Sequence, residues 1–208
     1  MKTSTSGRFA LTVSTSVRGM PASFSPKCSC VGTFGVSSAK RTIAPSIFDR
    51  TSPNFQSGYT PDEIAEARKF VASPDWDAML RDTQAAIDAV KSVGPVGIIG
   101  FCLGGSVAFV AATRLSGLKA AIGYYGGAVV RFADEKPKVP TQLHFGEKDA
   151  GIPLTDVETV KAKRPDVEVF IYPGAQHGFH CDERPSYDKA SSDVAWPRSM
   201  EFFAKHLK

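Results

Sequence analysis

Apolar and polar positions change their period along the chain, and each change predicts an element. From Ile43 onward, "TIAPSIF" is a short apolar strand candidate. "YTPDEIAEARKFVAS" then predicts a helix: Thr60 can cap it, Pro61 suits its first position, and Glu63 completes a capping box. Ile64, Ala67, Phe70 and Val71 form its apolar face. "SPDWDAMLRDTQAAIDAVKSVG" repeats the design, with Ser73 as cap, Pro74 behind it and Gly94 as stop, and Trp76, Leu80, Ala86, Ile87 and Val90 as its buried side. Beyond this point short apolar runs and longer helical patterns alternate. "VGIIGF" reads as a buried strand, "LGGSVAFVAATRL" as a buried helix, "LKAAIGYYG" as a strand and "TQLHFGEKDAGIP" as a strand and loop. "LTDVETVKAK" is a helix, "VEVFIYPGAQHGF" a strand and loop, and "SYDKASSDVAWPRSMEFFAKHL" a helix broken at Pro197. Strands that alternate with helices imply parallel pairing through right-handed crossovers, hence an α/β domain.

The first 43 residues lack this patterning. They are rich in Ser, Thr and Gly, and only "RFALTVSTSV" reads as a strand candidate. The expected organisation is therefore an atypical segment over 1–43, disordered or resembling a transit peptide, and one folded domain over 44–208. A displaced or frame-shifted start is a further expectation, which intact mass and N-terminal sequencing of the native protein would check.

Charge follows the same division. Residues 1–48 hold six basic residues and no acid, whereas the remainder holds 19 basic and 21 acidic residues. The overall charge of +4 therefore belongs to the N-terminal segment, and the folded part offers no basic stripe for nucleic acid. No apolar stretch approaches the ~20 residues of a membrane span. Cys28 and Cys30 form a lone C-x-C without a second pair for zinc, and four cysteines in 208 residues are no disulfide framework. A reducing compartment and a monomer are the expectations.

The chemistry centres on "GFCLGG". Cys102 lies in a G-x-C-x-G sequence between the predicted strand and helix, the place of a nucleophile elbow. So tight a turn leaves no room for side chains two residues before and after, and Gly100 and Gly104 meet that need. Gly105 lets the helix approach the sheet. Free N–H groups at a helix start favour thiolate, and the Leu103 N–H is a candidate oxyanion donor. A thiol nucleophile needs a base, and the base an orienter. Asp149 and His177 each follow a predicted strand, so the order Cys102, Asp149, His177 is nucleophile, acid, histidine. Other residues compete. His144 reads as a core histidine, and His177, His180 and Cys181 as an incomplete metal set. Glu147 and Asp156 read as surface groups, and His206 as a helix-end charge.

On "GFCLGG", "HFGEKDAGIP" and "YPGAQHGFHCD" the chain resembles the dienelactone hydrolase family, from about Ala44 to Lys208. The resemblance implies an α/β-hydrolase-like, mostly parallel sheet flanked by helices, with the family's N-terminal strands missing or replaced. It also implies a cofactor-free, cytoplasmic Cys–His–Asp hydrolase of activated esters and enol-lactones such as 4-carboxymethylenebut-2-en-4-olide. Its small-molecule substrate would be bound by two arginines. One of these falls near Ile64, with Arg68 a turn away, and the other falls at Cys181. Family members further carry an H-E-I-F-G-like loop that gives a second oxyanion donor and a Glu controlling the cysteine, and residues 1–43 hold no such segment. Two alternatives stand beside this reading. One is a pseudoenzyme or partner-binding domain with an open sheet edge. The other is a class I glutamine amidotransferase, which would need a Glu two residues after the histidine, where Phe179 stands.

Overall fold

The computed structural model describes residues 73–208 apart from Val93 and Glu183, together with the backbone of three short strands nearer the N-terminus. Those strands are β1 (Ala10–Ser14), β2 (Thr33–Ser37) and β3 (Thr42–Ile43). The rest of the segment assigned to 1–43, and the helix expected over "YTPDEIAEARKFVAS", lie outside the described residues.

The described domain is built on four parallel strands, β4 (Val96–Phe101), β5 (Leu118–Tyr124), β6 (Thr141–Gly146) and β7 (Glu168–Tyr172), adjacent in chain order. Helix α1 (Trp76–Val90) precedes β4, and α2 (Leu103–Arg114), α3 (Leu154–Lys163) and α4 (Lys189–His206) follow β4, β6 and β7. A 3₁₀ turn spans Val129–Phe132. Beyond β4 the sheet continues through β1, which runs antiparallel to it with Thr12 opposite Ile99. No described helix is long and apolar enough to cross a membrane.

Alternation along β4 explains the two layers. Ile98 joins Met79, Ile87, Val107 and Ala111 of α1 and α2 in one core cluster, whereas Ile99 and Phe101 join Phe202 and Phe203 of α4 in the other. All of α2 from Leu103 to Thr113 is buried, as its all-round apolar sequence demands.

Two local expectations are corrected. The cap of α1 is Asp75, not Ser73: its Oδ1 accepts from the Ala78 N–H at 2.9 Å. A carboxylate one residue from the helix outcompetes a serine two residues further away, because only Asp75 reaches the third free N–H. Helix α4, expected to break at Pro197, runs through it. The proline sits on the exposed face, as does Asp193 four residues earlier, so the carbonyl that loses its partner turns to water.

Candidate active site

The turn from β4 into α2 is the elbow expected from "GFCLGG". Cys102 has φ 57° and ψ −123°, a strained conformation for a residue with a side chain. Two backbone bonds hold it there: Cys102 N–H donates to the Tyr124 carbonyl at 3.0 Å, and its own carbonyl accepts from Gly105 N–H at 2.9 Å. Gly100 is required by contact. A Cβ there would collide with the backbone carbonyl of Gly104 and come within 3.0 Å of Gly105 N. The strain thus fixes the sulfur at the first turn of α2, on the carboxyl edge of the sheet.

Two loops on the same edge bring in the partners. After β6, Asp149 turns its carboxylate inward: Oδ1 accepts from Gly151 N–H at 2.9 Å, and Oδ2 accepts from His177 Nδ1–H at 2.7 Å. The Asp149 side chain is fully buried, whereas that of His177 is 31% exposed. On its other side, His177 Nε2 lies 3.2 Å from Cys102 Sγ. The loops are stitched together by Glu147 N–H to Tyr172 O (3.0 Å), Lys148 N–H to Ala175 O (2.8 Å) and Gly174 N–H to the Glu147 carboxylate (2.8 Å). Glu147, expected as a plain surface group, is thus a loop clamp.

The charges follow from this packing. Burial pushes the Cys102 thiol up, but the opposing influences outweigh it and hold the group below the ordinary thiol range. These are the His177 charge and hydrogen bond, the Leu103 N–H and the Arg184 charge. Burial works against the His177 cation, yet the Cys102 charge, with the Asp149 hydrogen bond and charge, raises it to about 10. Both shifts favour the ionised forms of the pair, a thiolate facing an imidazolium, with the Asp149 carboxylate on the far side of the ring and the Leu103 N–H bonded to the sulfur.

Residues 41–207 match the dienelactone hydrolase family. This chain belongs to that family. A Synechocystis sp. relative, provisionally named a carboxymethylenebutenolidase, is 35% identical over 185 residues, which cover 80% of this chain and 75% of the relative. A Yersinia pestis relative with the same provisional name is 35% identical over 123 residues, covering 52% of this chain and only 46% of the relative. The chain thus spans about half the length of some of its curated relatives. Among solved structures, a provisionally named dienelactone hydrolase from Klebsiella pneumoniae superposes with a TM-score of 0.61 at 29% identity, over 67% of this chain and 65% of that one. The fold and relatives of this family member are those of hydrolase enzymes, and the amidotransferase alternative falls with the match.

The remaining sequence candidates in this dienelactone hydrolase relative divide clearly. His144 is fully buried, with Nδ1 2.8 Å from the Tyr172 hydroxyl and Nε2 2.8 Å from Gln142 Oε1, and burial drives its pKa well below the usual histidine range. It is a neutral core group. His180 is stacked among Phe101, Tyr124 and Trp196, with burial lowering its pKa to about 4. Arg68 lies outside the described residues.

Sequence reasoning missed three neighbours. Tyr125, with φ 37°, places its ring 5.1 Å from that of His177. Arg184 fills the space a Cβ of Gly178 would occupy, with Cδ 2.9 Å and Cζ 3.2 Å from that position. Ser186 donates its hydroxyl to the His177 carbonyl at 2.7 Å. The only sequence signal was the polar density of "CDERPSYD" after the histidine, which says nothing about direction.

Proposed function

We propose that the protein hydrolyses activated esters and enol-lactones, with Cys102 as nucleophile, His177 as acid and base, and Asp149 as the group that orients the imidazole. The reading rests on one observation: Sγ, Nε2, Nδ1 and Oδ2 form a continuous chain at 3.2 and 2.7 Å, mounted on a strained elbow. The Cys102 thiolate attacks the carbonyl carbon, and the Leu103 N–H donates to the developing oxyanion. As the C–O bond breaks, the leaving oxygen takes the Nε2 proton and departs as an enol, which leaves His177 neutral. Neutral His177 then removes a proton from water, which attacks the thioester, and the C–S bond breaks to return the thiolate. Asp149 holds Nδ1–H throughout, so Nε2 always faces the sulfur. A thiolate leaves more readily than an amide nitrogen, which favours esters and lactones over peptides.

The names of the relatives support a lactone substrate, and Arg184 supports one bearing a carboxylate. Its charge is felt at Cys102, and its stem lies against the histidine loop. Arg184→Met is expected to lower the preference for a carboxylate-bearing ester over its neutral analogue about tenfold, in line with the loss of a charge-assisted bond. The ratio of the two kcat/KM values checks this. A monomer acting in the cytoplasm belongs to the same proposal.

The test is selective alkylation. Cys102 is held below the ordinary thiol range, so iodoacetamide should modify it at a lower pH than it modifies a free cysteine. Reactivity should fall only as acid protonates the thiolate. Ester turnover should vanish in step with the modified fraction, and full turnover after complete alkylation of Cys102 would refute the proposal.

A further inference from the structure

The loop that carries His177 is held from two sides. One side is the Asp149 loop, through the three bonds at Glu147, Lys148 and Gly174. The other is the strap of residues 184–188 with the first turn of α4. There the Phe179 carbonyl accepts from Asp188 N–H at 2.9 Å and from the Ser192 hydroxyl at 2.9 Å. The His177 carbonyl accepts from the Ser186 hydroxyl at 2.7 Å.

These bonds are not equivalent. The peptide between His177 and Gly178 is followed by a glycine at φ +76°, which carries no Cβ to oppose rotation of that unit. A side chain is excluded there because Arg184 occupies its place. Steric restraint is therefore given up at the peptide whose orientation sets the Cα–Cβ direction of the histidine. Ser186 supplies a restraint in its stead. Phe179, by contrast, keeps a backbone donor, Asp188 N–H, if the Ser192 hydroxyl is lost.

We infer that Ser186 is a positioning residue for the hydrolysis, locking the His177–Gly178 peptide so that the imidazole bridges Asp149 and Cys102. This rests on the thiol-hydrolase reading above. The imidazole must meet two partners at once, 2.7 Å and 3.2 Å away, and a hinge one bond from its Cα swings the ring as a lever. A release at the carbonyl therefore moves Nε2 away from the sulfur without touching either partner.

The experiment compares Ser186→Ala, Ser186→Thr and Ser192→Ala in the full chain. Hydrolysis of p-nitrophenyl acetate is followed, along with the pH dependence of Cys102 alkylation by iodoacetamide, read by peptide mapping. Ser186→Ala is expected to lose about ten- to a hundredfold in kcat, the scale of a displacement near 1 Å in a reacting group. Its alkylation profile should move to higher pH, because the thiolate has lost its imidazolium. Ser186→Thr restores the hydroxyl and should recover most of both. Ser192→Ala removes a buried hydroxyl from the same loop and should lower the melting temperature as much or more, with kcat within about threefold, as expected when geometry at the reacting groups is kept. An unchanged Ser186→Ala enzyme overturns the inference, as does a Ser192→Ala enzyme that loses kcat and shifts its alkylation profile equally. If the wild-type protein turns over no ester, the functional reading fails, while the alkylation profiles still decide whether Ser186 holds His177 against Cys102.

Discussion

Cys102→Ala is expected to lower turnover of an activated ester by on the order of 10⁶-fold, the scale seen when a nucleophile is removed from a coupled triad. The substitution removes only the sulfur. The elbow is held by backbone bonds from Cys102 to Tyr124 and Gly105, both of which an alanine keeps. The fold should therefore survive, and the melting temperature should stay within a few degrees. His177 then faces an empty site, and the raising influence of the Cys102 charge disappears, so its pKa should fall back from about 10. An NMR titration of the imidazole would show that fall. Cys102→Ser is a sharper variant: a hydroxyl in the same place is not ionised by this histidine at rest, so most activity should still be lost. Release of p-nitrophenol is the measurement, and a Cys102→Ala enzyme with more than a tenth of wild-type turnover would contradict the mechanism.

Gly100→Ala is the second large effect, and it acts on stability as well as activity. The new methyl would point at the Gly104 carbonyl and lie 3.0 Å from Gly105 N, so its neighbours are backbone rather than movable side chains. Relief requires α2 to move. That helix is buried from Leu103 to Thr113 between the sheet and α1, so it has nowhere to go without opening the core around Val107 and Ala111. A loss of about 3 kcal/mol or more is expected, the upper end of the cost of overpacking. The urea midpoint measures it. Activity should fall with it even where the protein stays folded, because any shift of the first turn carries the Cys102 sulfur and the Leu103 N–H away from His177. A variant with an unchanged midpoint and full activity would show that the elbow is not closed as described.

Much of the architecture was legible along the chain because its causes are local. "VGIIGF" and "LGGSVAFVAATRL" announce a buried strand and a helix apolar all round, and they occupy Val96–Phe101 and Leu103–Arg114. The elbow was legible for the same reason, since only glycine tolerates the contacts on either side of Cys102. Where the reading failed, a neighbour outside the window decided. Asp75 won the cap over Ser73 by its reach to Ala78 N–H. Pro197 was tolerated because packing of the flanking residues, with Ser199 bonded to Tyr124 at 2.7 Å, holds the helix while the freed carbonyl meets water.

The amino-acid order by itself determined the alternation of strands and helices, the glycines that make the turn at Cys102, and the order in which Cys102, Asp149 and His177 arrive. Those are properties of near neighbours, fixed by sterics and hydrogen-bond reach within a few residues. Only the tertiary structure decided that Cys102 and His177, 75 residues apart, come within 3.2 Å, that Asp149 backs the ring, that His144 stays neutral in the core, and that Arg184 and Ser186 turn toward the histidine loop. Spacing along the chain carries no record of direction in space. Burial and charge at a site arise from groups that meet only when the sheet is assembled.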